Sequence, residues 1–157
     1  MAVDFSAMLK KQSGKAKRPK ALPRATYPGK IKAWEVGDKN TNNTPYVRFH
    51  VVPTSWPDSV DEADRMQEGA EEGSLVPINL SKRQLRRDIF TAGTDGSDMM
   101  WRLDEFLKSL GLEMGPSYEE LLPQVIGKDV LIDVTQYVNQ RSGELENQVD
   151  RIVGIQE

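Results

Sequence analysis

Cations and flat rings alternate in two short stretches of this sequence: Lys30, Lys32 and Trp34 in one, Tyr46, Arg48 and His50 in the other. Positive groups spaced along a strand face neutralise phosphates, and rings between them stack unpaired bases, each stacked base contributing about 1–3 kcal/mol. These six residues therefore suggest the sequence-independent holding of a single nucleic-acid strand. The same rings can instead close the end of a barrel or pair across a hairpin, and His50 can be an ordinary surface residue at a strand end. A second cluster, Lys82, Arg83, Arg86 and Arg87, has spacings of three and four that place it on adjoining faces of a helix, either as a phosphate contact or as a solvated face. Arg141 lies in a Gln-Arg-Ser-Gly turn and is placed to meet a bound strand's backbone.

Other chemistries find little material here. The 157 residues contain no Cys and one His, which excludes disulfides, thiolate zinc sites and cysteine nucleophiles and leaves a histidine metal site without partners. No GxGxxG, GxSxG or HExxH motif occurs, and Gly127-Lys128-Asp129 fails as a phosphate loop because Leu122 stands where Gly is required and no Ser or Thr follows the Lys. Asp95 and Asp98 fall in a Gly-rich turn, where carboxylates serve the turn itself. The expectation is a protein without enzymatic turnover, cofactor or metal.

The elements that must position these residues follow from pattern and composition along the chain. One domain is the expectation at this length, able to bury roughly 70% of the surface its unfolded chain exposes. Residues 1–21 form a basic flexible tail: positions 1–20 carry a balance of +5, within a chain whose net charge is -3. From Ala25 the pattern has period two, with Tyr27, Gly29, Ile31 and Ala33 on one side and Lys30, Lys32, Trp34 and Val36 on the other, bent at Gly29. Pro45 to Val52 alternates again, with Val47, Phe49 and Val51 opposite Tyr46, Arg48 and His50. An acidic insertion follows, about residues 53–74, in which Asp58 to Glu72 carries -6; it reads as a solvated loop or short helix. Leu75 to Leu80 is expected as a third strand, at an edge because of Pro77. Ser81 with Gln84 has capping-box spacing for a short helix through KRQLRRDIF.

A clearer helix follows Asp98 as its N-cap, with Met99, Met100, Leu103, Phe106, Leu107 and Leu110 on one stripe, Trp101 off it and Gly111 at the C-terminal cap. Ser117 to Glu120 gives one more turn. Asp129 to Asn139 and Leu145 to Ile155 form a closing hairpin. The expected class is mainly β, a five-stranded OB-fold-like barrel with a helical segment between strands 3 and 4, an architecture whose exposed face commonly holds oligonucleotides. The N-terminus has no apolar signal region and no apolar run reaches the ~18 residues of a membrane span, so a cytoplasmic, non-membrane protein is expected.

The succession Leu22-Pro23, Tyr27-Pro28-Gly29-Lys30-Ile31, Thr44-Pro45-Tyr46-Val47-Arg48-Phe49, Trp101-Arg102-Leu103 to Leu110-Gly111-Leu112, and Ile126-Gly127-Lys128-Asp129-Val130 resembles the bacteriophage single-stranded DNA-binding proteins of OB-fold type, over roughly Leu22 to Ile155. The resemblance implies single-stranded DNA binding and protection during phage DNA replication and recombination, in the host cell cytoplasm. Single-stranded DNA is the implied partner, with RNA left open, alongside phage replication or recombination proteins and a homo-oligomeric assembly. It assigns contacts to Lys30, Lys32, Trp34, Tyr46 and Arg48. The acidic insertion and basic leader depart from the pattern, and Ile155-Gln156-Glu157 closes the sequence without the long acidic tail of bacterial counterparts, so recruitment by that route is not expected. The competing expectation is a non-enzymatic protein-interaction module, a structural or host-directed phage protein anchored by Trp34, Trp56 and Trp101, with nucleic-acid affinity confined to the tail.

Overall fold

Side-chain alternation builds most of this molecule. The computed structural model describes Ser6, Leu9, Lys10 and residues 19–38, 43–69 and 73–155; most of the basic leader, residues 39–42, residues 70–72 of the acidic block and residues 156–157 lie outside the described residues. Strand β1 (Ala25–Gly37) and β2 (Tyr46–Pro53) form the first hairpin, β3 (Met66–Glu68) and β4 (Leu75–Pro77) a small ribbon, β5 (Leu85–Phe90) returns beside β2, and β6 (Asp129–Val138) and β7 (Leu145–Gly154) close the chain. Five of them make one antiparallel sheet in the order β5-β2-β1-β6-β7. Helix α1 (Met100–Ser109) and the short α2 (Tyr118–Leu121) lie between β5 and β6.

Two expectations about the third strand are corrected. Leu75–Pro77 pairs with Met66–Glu68 in the separate ribbon and takes no place in the main sheet. Pro77 has no N–H to give a ladder, and Leu75 and Val76 stay exposed. The segment expected as a cationic helix is instead β5, with Leu85, Arg87 and Ile89 opposite Val51, Phe49 and Val47 on the core-side row. The cap belongs to Asn79, whose Oδ1 accepts from the Ser81 backbone N–H at 3.1 Å and from its hydroxyl at 2.6 Å, closing a single 3-10 turn at Leu80–Lys82.

The sheet curls but does not close. β5 and β7 come side by side without a ladder between them, so the expected barrel is an open sheet. A charged side chain occupies the gap: Arg87, on the core-side row, reaches across the seam with its Nη1 3.4 Å from the Val149 carbonyl. The core lies beneath the concave face, where Tyr27, Ile31, Phe49, Leu103, Leu107 and Ile132 are fully buried. Phe106 meets Phe49 with ring centroids 4.7 Å apart, fixing α1 across the sheet. Helix α1 uses the expected stripe from Met100 onward, with Met99 rather than Asp98 at the N-cap position and Asp98 Oδ1 accepting from the Met100 N–H at 2.9 Å. It stops where Gly111 turns left-handed (φ 84°), with Gly111 N–H on the Lys108 carbonyl (2.9 Å) and Leu112 N–H on that of Leu107 (3.3 Å). Trp101, off the stripe, is 54% exposed. Ser117 Oγ accepts from the Glu120 N–H at 3.3 Å, as its capping spacing requires.

The chain is tied to this body from Lys20 onward. Leu22 is fully buried, and Asn147 clasps its backbone from both sides, at 2.7 Å to the N–H and 2.8 Å to the carbonyl. Within the acidic insertion Val60 is buried, Arg65 donates to its carbonyl at 2.8 Å and lies 5.7 Å from the Trp56 ring, and Trp56 packs on Tyr27. Asp58, Asp61, Glu62 and Asp64 face solvent around this anchor.

Tyr27 carries a pH consequence. Burial pushes its phenol up to about 12, against a smaller opposite pull from Arg65, while its hydroxyl donates to the Pro23 carbonyl at 2.7 Å. The unfolded chain ionises this group first, so its contribution is complete below pH 10 and is lost as pH rises toward 12. Alkaline denaturation should show a fall of about 2–3 kcal/mol across that window, and Tyr27→Phe should flatten that part of the curve.

Candidate nucleic-acid interface

On the outer face of β1, β2 and β5 the register stacks three rows. Ala33, His50 and Arg86 share one, Glu35, Arg48 and Asp88 the next, and Gly37, Tyr46 and Phe90 the third. The position of Trp34 differs from expectation. A bulge leaves Lys32 unpaired between Ile31, opposite Val51, and Ala33, opposite His50. One extra residue reverses the alternation beyond it. Trp34 therefore lies opposite Phe49 and packs against the core, and Glu35 takes the outward position beside Arg48. The strand's irregularity sits at Lys32, three residues past the expected bend at Gly29.

Arg48 is flanked by carboxylates on both sides. It makes a two-point contact with Asp88, Nε to Oδ1 at 2.7 Å and Nη2 to Oδ2 at 3.0 Å, and its Nη1 lies 3.5 Å from Glu35 Oε1. The Asp88 hydrogen bond is the main cause holding the guanidinium above its ordinary pKa. Arg48 is thus charged but locally neutralised. His50 sits between Glu35 Oε1 at 3.3 Å and Gln84 Nε2 at 2.9 Å. Tyr46, 7% exposed, lies under the Arg48 guanidinium, 5.0 Å from its ring centroid, with Phe90 edge-on at 6.2 Å. The face that alternation assembles is therefore a hydrogen-bonded network with its rings covered.

The remaining sequence candidates divide by exposure. Lys30 is exposed beside Asp129, at 3.6 Å. Lys32, Lys82, Arg86 and Arg141 are exposed and make no side-chain ion pair among the described residues. Lys32, Trp56 and Ser81 are among the residues that line a groove of about 490 Å3. Arg141 stands on the β6–β7 turn, which is held by Asn139 Oδ1 accepting from the Arg141 N–H at 2.9 Å. Arg83 is taken up by the fold, donating to the Lys20 carbonyl at 2.6 Å and to Gln67 at 2.9 Å and so fastening the end of the leader to the acidic ribbon. Burial lowers its pKa from the usual guanidinium value.

No family model matches this chain, and no curated protein matches it.

Sequence reasoning missed the open seam. A cleft of about 500 Å3 runs between β5, α1 and β7, lined by Arg87, Arg102 and Arg151. A second, of about 540 Å3, continues along β5 past Arg86 to Tyr137. Arg102 and Arg151 are far apart in sequence and carry no shared spacing. Only the packing of α1 against β7 brings them together. Among the described residues no group of three or more His, Asp or Glu converges in a way that could hold a metal ion, and no helix is long and apolar enough to cross a membrane.

Proposed function

We propose that this protein binds single-stranded DNA without sequence preference, on an OB-type sheet, in the manner of the bacteriophage proteins its sequence resembles, and that it does so without catalytic turnover. The observation that carries this reading is the strand order. Numbered within the main sheet, it runs 3-2-1-4-5 with the helices between strands 3 and 4 and the third and fifth strands side by side, an arrangement that supports reading it as a partly open OB-type sheet. Exposed cations on and around that sheet, Lys32, Lys82, Arg86 and Arg141, supply the phosphate-neutralising part of such an interface. Coating and protecting single strands during replication or recombination in the host cytoplasm is the role that follows. The protein-interaction alternative draws on Trp101, 54% exposed, but its other anchors, Trp34 and Trp56, pack against the core.

Salt dependence tests the proposal. Each phosphate neutralised on a single strand contributes about -0.7 to the slope of log K against log salt, so three to four contacts give about -2 to -3. Anisotropy of a labelled mixed-sequence strand should show that slope, and Lys32→Ala with Arg86→Ala should reduce it by about 1.4. No binding to single strands at about 50 mM salt would overturn the proposal.

A further inference from the structure

We infer that the seam between β5 and β7 is a phosphodiester channel, which carries the sugar–phosphate backbone of a bound single strand off the sheet and past α1. The inference rests on the reading of the protein as a single-strand binder and assigns the strand a path that alternation alone does not suggest.

Charge is the first argument. Arg87, Arg102 and Arg151 project from three different elements into one cleft. Arg86 extends the row along β5 into the adjoining cleft, which shares Arg87, Asp88 and Phe90 with the first. Arg86, Arg102 and Arg151 have no carboxylate within ion-pair distance among the described residues. Two carboxylates line the cleft: Asp88, already held at two points by Arg48, and Glu105. The surplus is positive, in contrast to the neutralised centre of the sheet face.

Shape is the second. A compact anion needs one closed pocket, whereas these arginines line two adjoining clefts of about 500 and 540 Å3 that share Arg87, Asp88 and Phe90. A linear polyanion fits that arrangement. Tyr137, 43% exposed at the far end, offers a ring for a base beside Arg86. Arg87 spans the seam to the Val149 carbonyl, so the channel floor is a side chain where a closed barrel would have a ladder.

The test uses the full chain and a labelled mixed-sequence single strand. Arg102→Glu with Arg151→Glu should weaken binding by about tenfold or more and lower the salt slope by about 1.4, while Arg102→Lys with Arg151→Lys should retain most of the affinity. Arg24→Glu with Lys108→Glu makes the same change in net charge at residues that do not line the channel and should shift affinity by less than about twofold, and thermal melts establish that each variant is folded. Inorganic phosphate at millimolar concentration should compete no better than chloride at equal ionic strength; efficient competition would mean a site for compact anions and overturn the channel. Wild-type binding with the channel reversal no weaker than its control would overturn the channel and leave the single-strand reading standing. Absence of wild-type binding would overturn both.

Discussion

Gly154→Ala should lift helix α1 from the sheet and lower stability by about 3 kcal/mol, a fall in melting temperature of roughly 6–12 °C for a domain of this size. The reason is where a Cβ at position 154 would land. It would fall on the Ser109 carbonyl, with Leu110 Cα 2.8 Å away, and all of these atoms are backbone at the last turn of α1. A side chain could rotate aside; a helix end tied by its cap at Gly111 cannot. The Gly154 N–H also donates to Ser109 Oγ at 3.3 Å, a contact that fixes β7 against the helix. Gly111→Ala makes the useful comparison, because nothing lies within 4 Å of that Cβ and only its left-handed backbone (φ 84°) is penalised. That strain costs about 1–2 kcal/mol. Equal melting temperatures for Gly154→Ala and wild type would mean that α1 does not seat against β7 this closely.

The second large effect concerns Arg48. Arg48→Ala leaves Asp88 and Glu35 facing each other across the centre of the sheet with no cation between them. Removing one partner of a fully buried pair costs 3–5 kcal/mol; with the Arg48 and Asp88 side chains 18% and 25% exposed, about 2–3 kcal/mol is expected. Asp88→Asn also destabilises, yet it leaves the guanidinium with Glu35 as its one carboxylate neighbour among the described residues, so the two substitutions part company in function. Single-strand affinity should fall in Arg48→Ala and rise in Asp88→Asn, with the salt slope of the latter steeper by up to about 0.7. Chemical denaturation and anisotropy on the same samples separate the two quantities. Equal loss of affinity in both variants would show that Arg48 acts only through the fold.

Much of the architecture could be read from the residues. Alternation located β1, β2, β6 and β7, and the stripe from Leu103 to Leu110 located α1, because burial on one face leaves a periodic trace. β5 escaped because its core-side row contains Arg87: a cation at an inward position makes LRRDIF look like a charged helix, and only the open seam makes that position tolerable. The bulge escaped for a related reason. Lys32 is an unremarkable residue in an alternating run, and one unpaired position there moved Trp34 inward and Glu35 outward. The site was therefore legible as a set of cations but not as a surface. Which of them remain available depends on partners distant in sequence, Asp88 for Arg48 and the Lys20 carbonyl for Arg83.

The central claim is that the folded sheet, rather than the basic leader, holds the nucleic acid. Titrating a labelled mixed-sequence single strand with the full chain and with a variant lacking residues 1–18 tests it most directly, since the deletion leaves Lys20 and Leu22 in their packed places. The shortened protein should still bind, with a salt slope of about -2 to -3 from the domain's own contacts. Loss of all measurable binding along with the leader would contradict the claim and leave the domain as an interaction scaffold carrying a basic tail.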